Sequence, residues 1–275
     1  MKIVTLLENT ACCRDFAQDH GLSLYIETAR HKILFDMGPS GDFAANADRL
    51  GVDLGAVDLA VLSHGHFDHA GGLGAFLQRN TAAPVCIHAG AFGSFWSERG
   101  GQRHYIGVDQ ALRSCRGRFA ETKGVVVIDQ ELMLFDGVED GFGAMGASAA
   151  LKYEKTDGTS VPDDFRHEQN LLITEGDKAV LVAGCAHRGI VNIIRKAEAL
   201  LGRELTAVVA GFHLFQLAAG DPEADALIAR TAAALAPGRT VYYTGHCTGD
   251  YAFERLKEVL GDRLCRITGG QGFEI

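Results

Sequence analysis

The sequence predicts an α/β fold in which two β-sheets pack on each other, helices cover their outer sides, and the chain divides into two pseudo-repeated halves. Three observations predict it. Short β-rich runs alternate with amphipathic helical runs along the chain, the order expected when helices cover a sheet. The chain also resembles itself. LYIETARHKILFDMGPS reads strand, tight turn, strand and loop, and LLITEGDKAVLVAGCAHRG repeats that order. The spacing agrees: Asp36 precedes His64 by 28 residues, and Cys185 precedes His213 by the same 28. No low-complexity linker separates the halves, so one domain is expected over 1–275.

In chain order, β-rich runs predict strands at 2–7, 22–27, 32–36, 59–63, 85–88 and 125–129. Further strands are predicted at 171–174, 179–183, 207–210 and 241–244. Amphipathic runs predict helices at 43–50, 73–79, 190–201, 222–235 and 251–260. In 190–201, for example, Ile190, Val191, Ile194, Ala197 and Leu201 recur at helical spacing. The segment 92–122 has weak periodicity, carries Arg99, Arg103, Arg113, Arg116 and Arg118, and reads as an inserted cap or loop region.

Composition narrows the function. Hydrophobic residues make up 47% of the 275, enough for a sizeable core. A formal net charge of -9 opposes a broad electrostatic grip on nucleic acid or anionic lipid. Seven cysteines form an odd set without a CxxC pair, which fits a reducing cytoplasm. No stretch of roughly 18 residues is continuously apolar enough for a membrane helix. A soluble, unprocessed, cytoplasmic protein is therefore expected, with self-association left open.

The chemistry concentrates in SHGHFDHAGG, which places His64, His66, Asp68 and His69 in an HxHxDH string. A strand ending at Ser63 releases this loop over a sheet edge. Imidazoles two residues apart can then converge on one cation while Asp68 and His69 turn toward a second. Gly65 is expected to relax the backbone between ligands, and Gly71 and Gly72 to let the chain turn into the next helix. The flanking runs DLAVLS and GGLGAFL are apolar, so this is a structured junction rather than a surface tract.

SHGHFDHAGG resembles the signature of the metallo-β-lactamase superfamily, and FDMG at 35–38 matches that family's first element. GCAHRGIVNII, AGFHL and YTGHCTG resemble its branch related to 7,8-dihydropterin-6-methyl-4-(β-D-ribofuranosyl)aminobenzene-5'-phosphate synthase. The resemblance implies a metallo-β-lactamase-like αββα sandwich and a binuclear centre for two divalent ions, zinc first, with iron or manganese as alternatives. It implies ligands at His64, His66, Asp68 and His69, completed by His187 and His246, with Asp36 supporting the metal loop from behind. Most members place a bridging aspartate where this chain has Cys185. That cysteine is read as a buried neighbour of the ligands, with soft ligation as the alternative. By the internal repeat His213 emerges at the same sheet edge as His64, where it could contact substrate, move a proton or bind metal.

Together these readings predict a metal-dependent hydrolase in which activated water attacks a small anionic or phosphorylated substrate, of pterin or phosphoribosyl type as the resemblance implies. Asp68 and His213 are its expected catalytic groups. Arg188, Arg103 and Arg116 are its expected anion contacts, because guanidinium forks suit phosphate and carboxylate. The alternatives are an iron-dependent oxidoreductase on the same fold and, behind it, a metal-stabilised binding protein without turnover.

Overall fold

The computed structural model describes residues 1–142, 150–215, 217 and 219–275. The first half contains β1 (Lys2–Leu7), β2 (Ser23–Glu27), β3 (Lys32–Phe35), α1 (Asp42–Leu50), β4 (Leu59–Leu62), the short helix α2 (Phe67–Ala70), α3 (Leu73–Arg79) and β5 (Val85–His88). The middle holds β6 (Ser94–Arg99), β7 (Gln102–Tyr105), β8 (Phe119–Thr122), β9 (Val125–Val127), β10 (Leu132–Phe135), β11 (Leu151–Glu154) and β12 (Ser160–Pro162). The second half contains β13 (Asn170–Glu175), β14 (Lys178–Val182), α4 (Ile190–Leu201), β15 (Ala207–Gly211), α5 (Pro222–Leu235), β16 (Val241–Gly245), α6 (Asp250–Leu260), β17 (Leu264–Arg266) and β18 (Gly272–Glu274).

Two seven-stranded sheets result, in the orders β18-β1-β2-β3-β4-β5-β8 and β17-β16-β15-β14-β13-β10-β9. In the first, β18, β1, β2 and β3 pair antiparallel, and β3, β4, β5 and β8 pair parallel. The second repeats the pattern, with antiparallel pairs from β9 to β14 and parallel pairs from β14 to β17. The repeat read from residue spacing is thus a repeat of topology. Each half ends its parallel strands at one rim, where side chains from consecutive crossovers gather.

Alternation along each strand separates three apolar layers. Ile3, Phe35 and Val61 face Leu171, Val180 and Val209 between the sheets. Phe43, Leu73 and Phe76 seal α1 and α3 onto the first sheet, and Ile190, Ile193, Leu256 and Phe212 do so for α4 and α6 on the second. Each fully buried Leu, Ile or Phe contributes about 1.5–3 kcal/mol. Local signals set the helix ends. Gly51 and Gly202 take left-handed φ of 69° and 68° after α1 and α4. Asp221 accepts from Glu223 N at the start of α5, with Pro222 in the first turn.

The segment 92–122 is not one insertion. β6 and β7 pair with β11 and β12 into a separate four-stranded sheet, whereas β8 closes the first main sheet. The cap is therefore shared between 94–105 and 151–162. It rests on Phe95, Ile106, Leu151 and Phe165. Strand β3 stops at Phe35, one residue short of expectation, because Asp36 adopts φ 57°. Among the described residues no helix is long and apolar enough to cross a membrane.

His31, at the β2–β3 turn, links the halves: Nδ1 lies 3.1 Å from Asp58 Oδ1 and Nε2 2.8 Å from Asp129 Oδ2. Partial burial disfavours its charge, but the two carboxylates outweigh that and raise it above its ordinary 6.5. The ion-pair stabilisation is complete below 6.5, the unfolded value, and disappears as pH rises through the higher folded value. The Tm gap between the native chain and His31→Gln should therefore narrow as pH is raised from 6 through 9, two test conditions chosen around the roughly 6.5 reference of histidine. A gap that widens over that range would show that the pair is not charged.

Candidate metal centre

The rim of parallel-strand ends supplies the site. His64 follows β4, the α2 turn carries Asp68 and His69, His187 follows β14, His213 follows β15, and His246 follows β16. All are buried. Asp36, Phe165, Ala186, His213 and His246 are the five non-glycine residues with positive φ among the described residues. All five lie in or beside this rim. Such backbone costs about 1–3 kcal/mol per residue and persists only where surroundings impose it.

Hydrogen bonds fix which nitrogen of each imidazole faces inward. Asp36 Oδ1 accepts from Ser63 N at 2.7 Å, while its Oδ2 accepts from Ser63 Oγ at 2.7 Å and from His69 Nδ1 at 2.6 Å. The Ser63 hydroxyl has spent its proton on Asp36, so it accepts from His64 Nδ1 at 2.9 Å. Asn9 Nδ2 donates to the His246 carbonyl, which leaves Asn9 Oδ1 to accept from His246 Nδ1 at 2.9 Å. His64, His69 and His246 consequently carry hydrogen on Nδ1 and turn Nε2 lone pairs toward one another.

Those lone pairs meet at close range. His69 Nε2 lies 3.1 Å from His246 Nε2 and 3.1 Å from Cys185 Sγ, and Cys185 Sγ lies 3.3 Å from His246 Nε2. Asp68 Oδ2 is 3.7 Å from His69 Nε2 and 3.5 Å from His246 Nε2. Beside them His64 Nε2 faces His187 Nε2 at 3.3 Å, with Cys185 again within ligand reach. Buried acceptors facing each other are unfavourable unless something positive lies between them. His69 shows the same demand: burial works against its charge, yet Asp36 and Asp68 raise it to about 9. His64 and His187 are pushed far below the ordinary value, by burial first and by neighbouring imidazoles second. Burial also opposes the charge on Asp68, but His69 and His246 hold it well below the carboxylate range. This donor set of imidazoles, a carboxylate and a thiol fits a divalent cation of zinc type.

His66 is held differently. Its Nε2 lies 3.1 Å from Asp163 Oδ2, leaving Nδ1 for a cation beside His64 and Asp68. His167 shares Asp163: its Nδ1 accepts from Gly65 N at 2.9 Å, so its Nε2 donates to Asp163 Oδ2 at 3.2 Å. The His66–Asp163–His167 group is internally satisfied and supports the centre rather than forming another. Glu168 Oε1 accepts from His187 N at 2.7 Å, its Oε2 accepts from Arg188 N at 3.0 Å, and Phe165 stacks on the His187 ring at 4.3 Å.

Glu8, Asn9, Asp163, His167 and Glu168 fall in none of the motifs read from the sequence. All of 163 and 167–168 are buried, and Glu8 Oε1 accepts from His246 N. The one signal was DDFRHEQN itself, acids and histidine running directly into an apolar strand. Cys185, favoured as a mere neighbour, has its sulfur inside the donor set. The glycines act sterically: a Cβ on Gly65 would lie 2.1 Å from Ala91 O, on Gly71 2.1 Å from Pro39 O, and on Gly72 2.2 Å from Met37 O. None of the three has positive φ.

A pocket of about 160 Å³ opens over the centre, walled by Phe67, Phe215, His20, Ile106 and Leu151, with Arg99 at its edge. Arg99 lies 6.0 Å from the Phe215 ring. The other arginines are engaged elsewhere. Arg103 pairs with Glu98 and Glu154 and stacks on Trp96 at 4.0 Å. Arg116 is exposed on the 110–118 turn, outside the pocket wall. Arg188 donates to the carbonyls of Val138 and Asp164, clamping loops rather than meeting ligand. Arg103, Arg116 and Arg188 are thus corrected from anion contacts to structural or surface roles, because carboxylates, carbonyls or solvent already claim them.

Residues 17–149 match the family described as the metallo-beta-lactamase superfamily. A Methanocaldococcus jannaschii protein named 7,8-dihydropterin-6-methyl-4-(beta-D-ribofuranosyl)-aminobenzene-5'-phosphate synthase is 28% identical, over 98% of this chain and 95% of its own. An uncharacterized protein of the same organism is 31% identical over 77% of this chain and 79% of its own. Among solved structures, Tm1679, described as a metal-dependent hydrolase of the beta-lactamase superfamily, superimposes with a TM-score of 0.82 at 27% identity, covering 100% and 99% of the two chains. Zinc-bound PqqB from Methylobacterium extorquens shares the fold, with a TM-score of 0.56 at 12% identity over 100% of both chains.

Proposed function

This chain belongs to the metallo-β-lactamase superfamily, and from that premise we propose that it is a metal-dependent hydrolase of a small anionic, phosphorylated substrate of pterin or phosphoribosyl type. Its centre would hold two zinc ions, one by Asp68, His69, Cys185 and His246, the other by His64, His66 and His187. The observation that carries this is the convergence of imidazole, carboxylate and thiol donor atoms around Cys185, with 3.1 Å between His69 Nε2 and both the sulfur and His246 Nε2. Bound divalent ions supply an acidified water and polarise the bond to be cut.

The chain's own residues do the rest. Asp68 reaches both the centre and the pocket, so its carboxylate can orient the attacking water. His213 borders the same pocket with both ring nitrogens free of hydrogen bonds among the described residues, which suits it to pass a proton to the leaving group. Phe67 and Phe215 offer flat apolar walls for a ring, and Arg99 offers a guanidinium for the anion. The pterin assignment draws support from the synthase relative in M. jannaschii, and the hydrolytic one from Tm1679.

Protein purified without added zinc should carry zinc and hydrolyse at least one substrate in a panel of phosphodiesters, cyclic nucleotides, lactones and thioesters. Arg99→Ala should raise KM for the phosphorylated members about tenfold, the range of a lost charged hydrogen bond, with kcat kept. Iron copurifying, oxygen consumption and no hydrolysis of any class would hand the site to the oxidoreductase reading.

A further inference from the structure

We propose that Cys185, His213 and Cys247 form a separate position for a thiophilic cation of the zinc, cadmium or copper(I) class, next to the centre described above. Their ligand atoms all lie within 4.8 Å of one another, and all three residues are buried. His213 is 6% exposed, yet neither ring nitrogen has a partner among the described residues. A buried imidazole with two idle nitrogens is costly unless a ligand completes it. Among the described residues the one hydrogen bond of Cys247 Sγ is a weak one to the Cys185 carbonyl at 3.4 Å.

The surrounding backbone is built for this convergence. Leu214 N and Phe215 N donate to the Cys247 carbonyl at 2.8 and 2.9 Å, and Phe212 N donates to Thr248 Oγ1 at 3.0 Å. These bonds pin the His213 loop to the Cys247 turn. Gly211, at the end of β15, keeps the space open, since a Cβ there would lie 2.4 Å from Cys247 Sγ. His213 and Cys247 belong to none of the other four donor groups among the described residues, and Cys185 is shared with two of them.

Two sulfurs and one imidazole select soft cations over magnesium or calcium. Binding exchanges each thiol proton for a metal–sulfur bond and releases the proton to solvent. All three residues line the pocket, so a cation held by them would be reached from it. The assignment stands apart from the hydrolytic reading but bears on it. A soft ion here would share the Cys185 sulfur with the His69–His246 set and tie up His213, so excess soft metal should inhibit while total bound metal rises.

The test titrates protein carrying its resident metal with cadmium(II), following total metal per chain and thiolate-to-cadmium ultraviolet absorption. The native chain should bind one more ion than Cys247→Ser, with stronger thiolate absorption. His66→Ala should lose resident metal yet keep the added ion, which separates this position from the catalytic reading. Should Cys247→Ser fail to fold, His213→Gln keeps both sulfurs and should weaken the added ion by more than about tenfold, the least that even an outer contact of a metal site costs. Equal total metal and equal absorption in native and Cys247→Ser chains, or unchanged affinity in His213→Gln, would overturn the proposal.

Discussion

His66→Ala should abolish hydrolysis and remove metal from the centre. His66 is bound from behind by Asp163 and offers its other nitrogen beside His64 and Asp68. Losing an outer partner of a metal ligand already costs about 10–100-fold in affinity or activity, so losing the ligand should cost more. Elemental analysis and turnover on the same preparation test this. Asp163→Asn provides the graded comparison: it keeps the ligand, weakens its orientation and should fall within that 10–100-fold range. Full metal content and activity in His66→Ala would remove the HxHxDH loop from the centre.

Asp36 should show the largest combined effect on stability and metal. Its carboxylate is fully buried and accepts from the backbone of Ser63, the hydroxyl of Ser63 and the ring of His69. Asp36→Ala leaves those donors without a partner and breaks a buried pair, at a cost of about 3–5 kcal/mol. It also puts alanine at φ 57°, where it is strained. Asp36→Asn separates the two effects. Asparagine tolerates left-handed backbone, so it should fold nearly as well. Its amide can satisfy only part of the Ser63 and His69 pattern, so metal affinity should fall about 10–100-fold. Denaturant midpoints and metal titration read the two separately. Native metal affinity in Asp36→Asn would mean that the charge does not orient His69.

Much of this arrangement was readable in the chain. The twin separations from Asp36 to His64 and from Cys185 to His213 correspond to the same step, from the end of one parallel strand to the end of the next. Hydrophobic runs located β1 to β5 and β13 to β15 because these strands are buried over most of their length. The sheet within the cap escaped because all four residues of β7 are exposed and β6 finds its second partner in 151–154, so neither alternation nor proximity marks it. Asn9 and Asp163 escaped for a related reason. A carboxylate or amide that orients a histidine from 97 or 237 positions away carries no local spacing. Arginine roles were misjudged because a guanidinium's task depends on which acceptors surround it, and Glu154 and Val138 become neighbours only in the fold.

The pairing of β1 between β2 and β18 joins opposite ends of the chain in one sheet. Asn9 and Glu8, just past β1, hold His246, which belongs to the last crossover. The first sheet is therefore complete only once Gly272–Glu274 lies beside β1, and His246 is held in place only once Glu8 and Asn9 reach it from the other side of the fold.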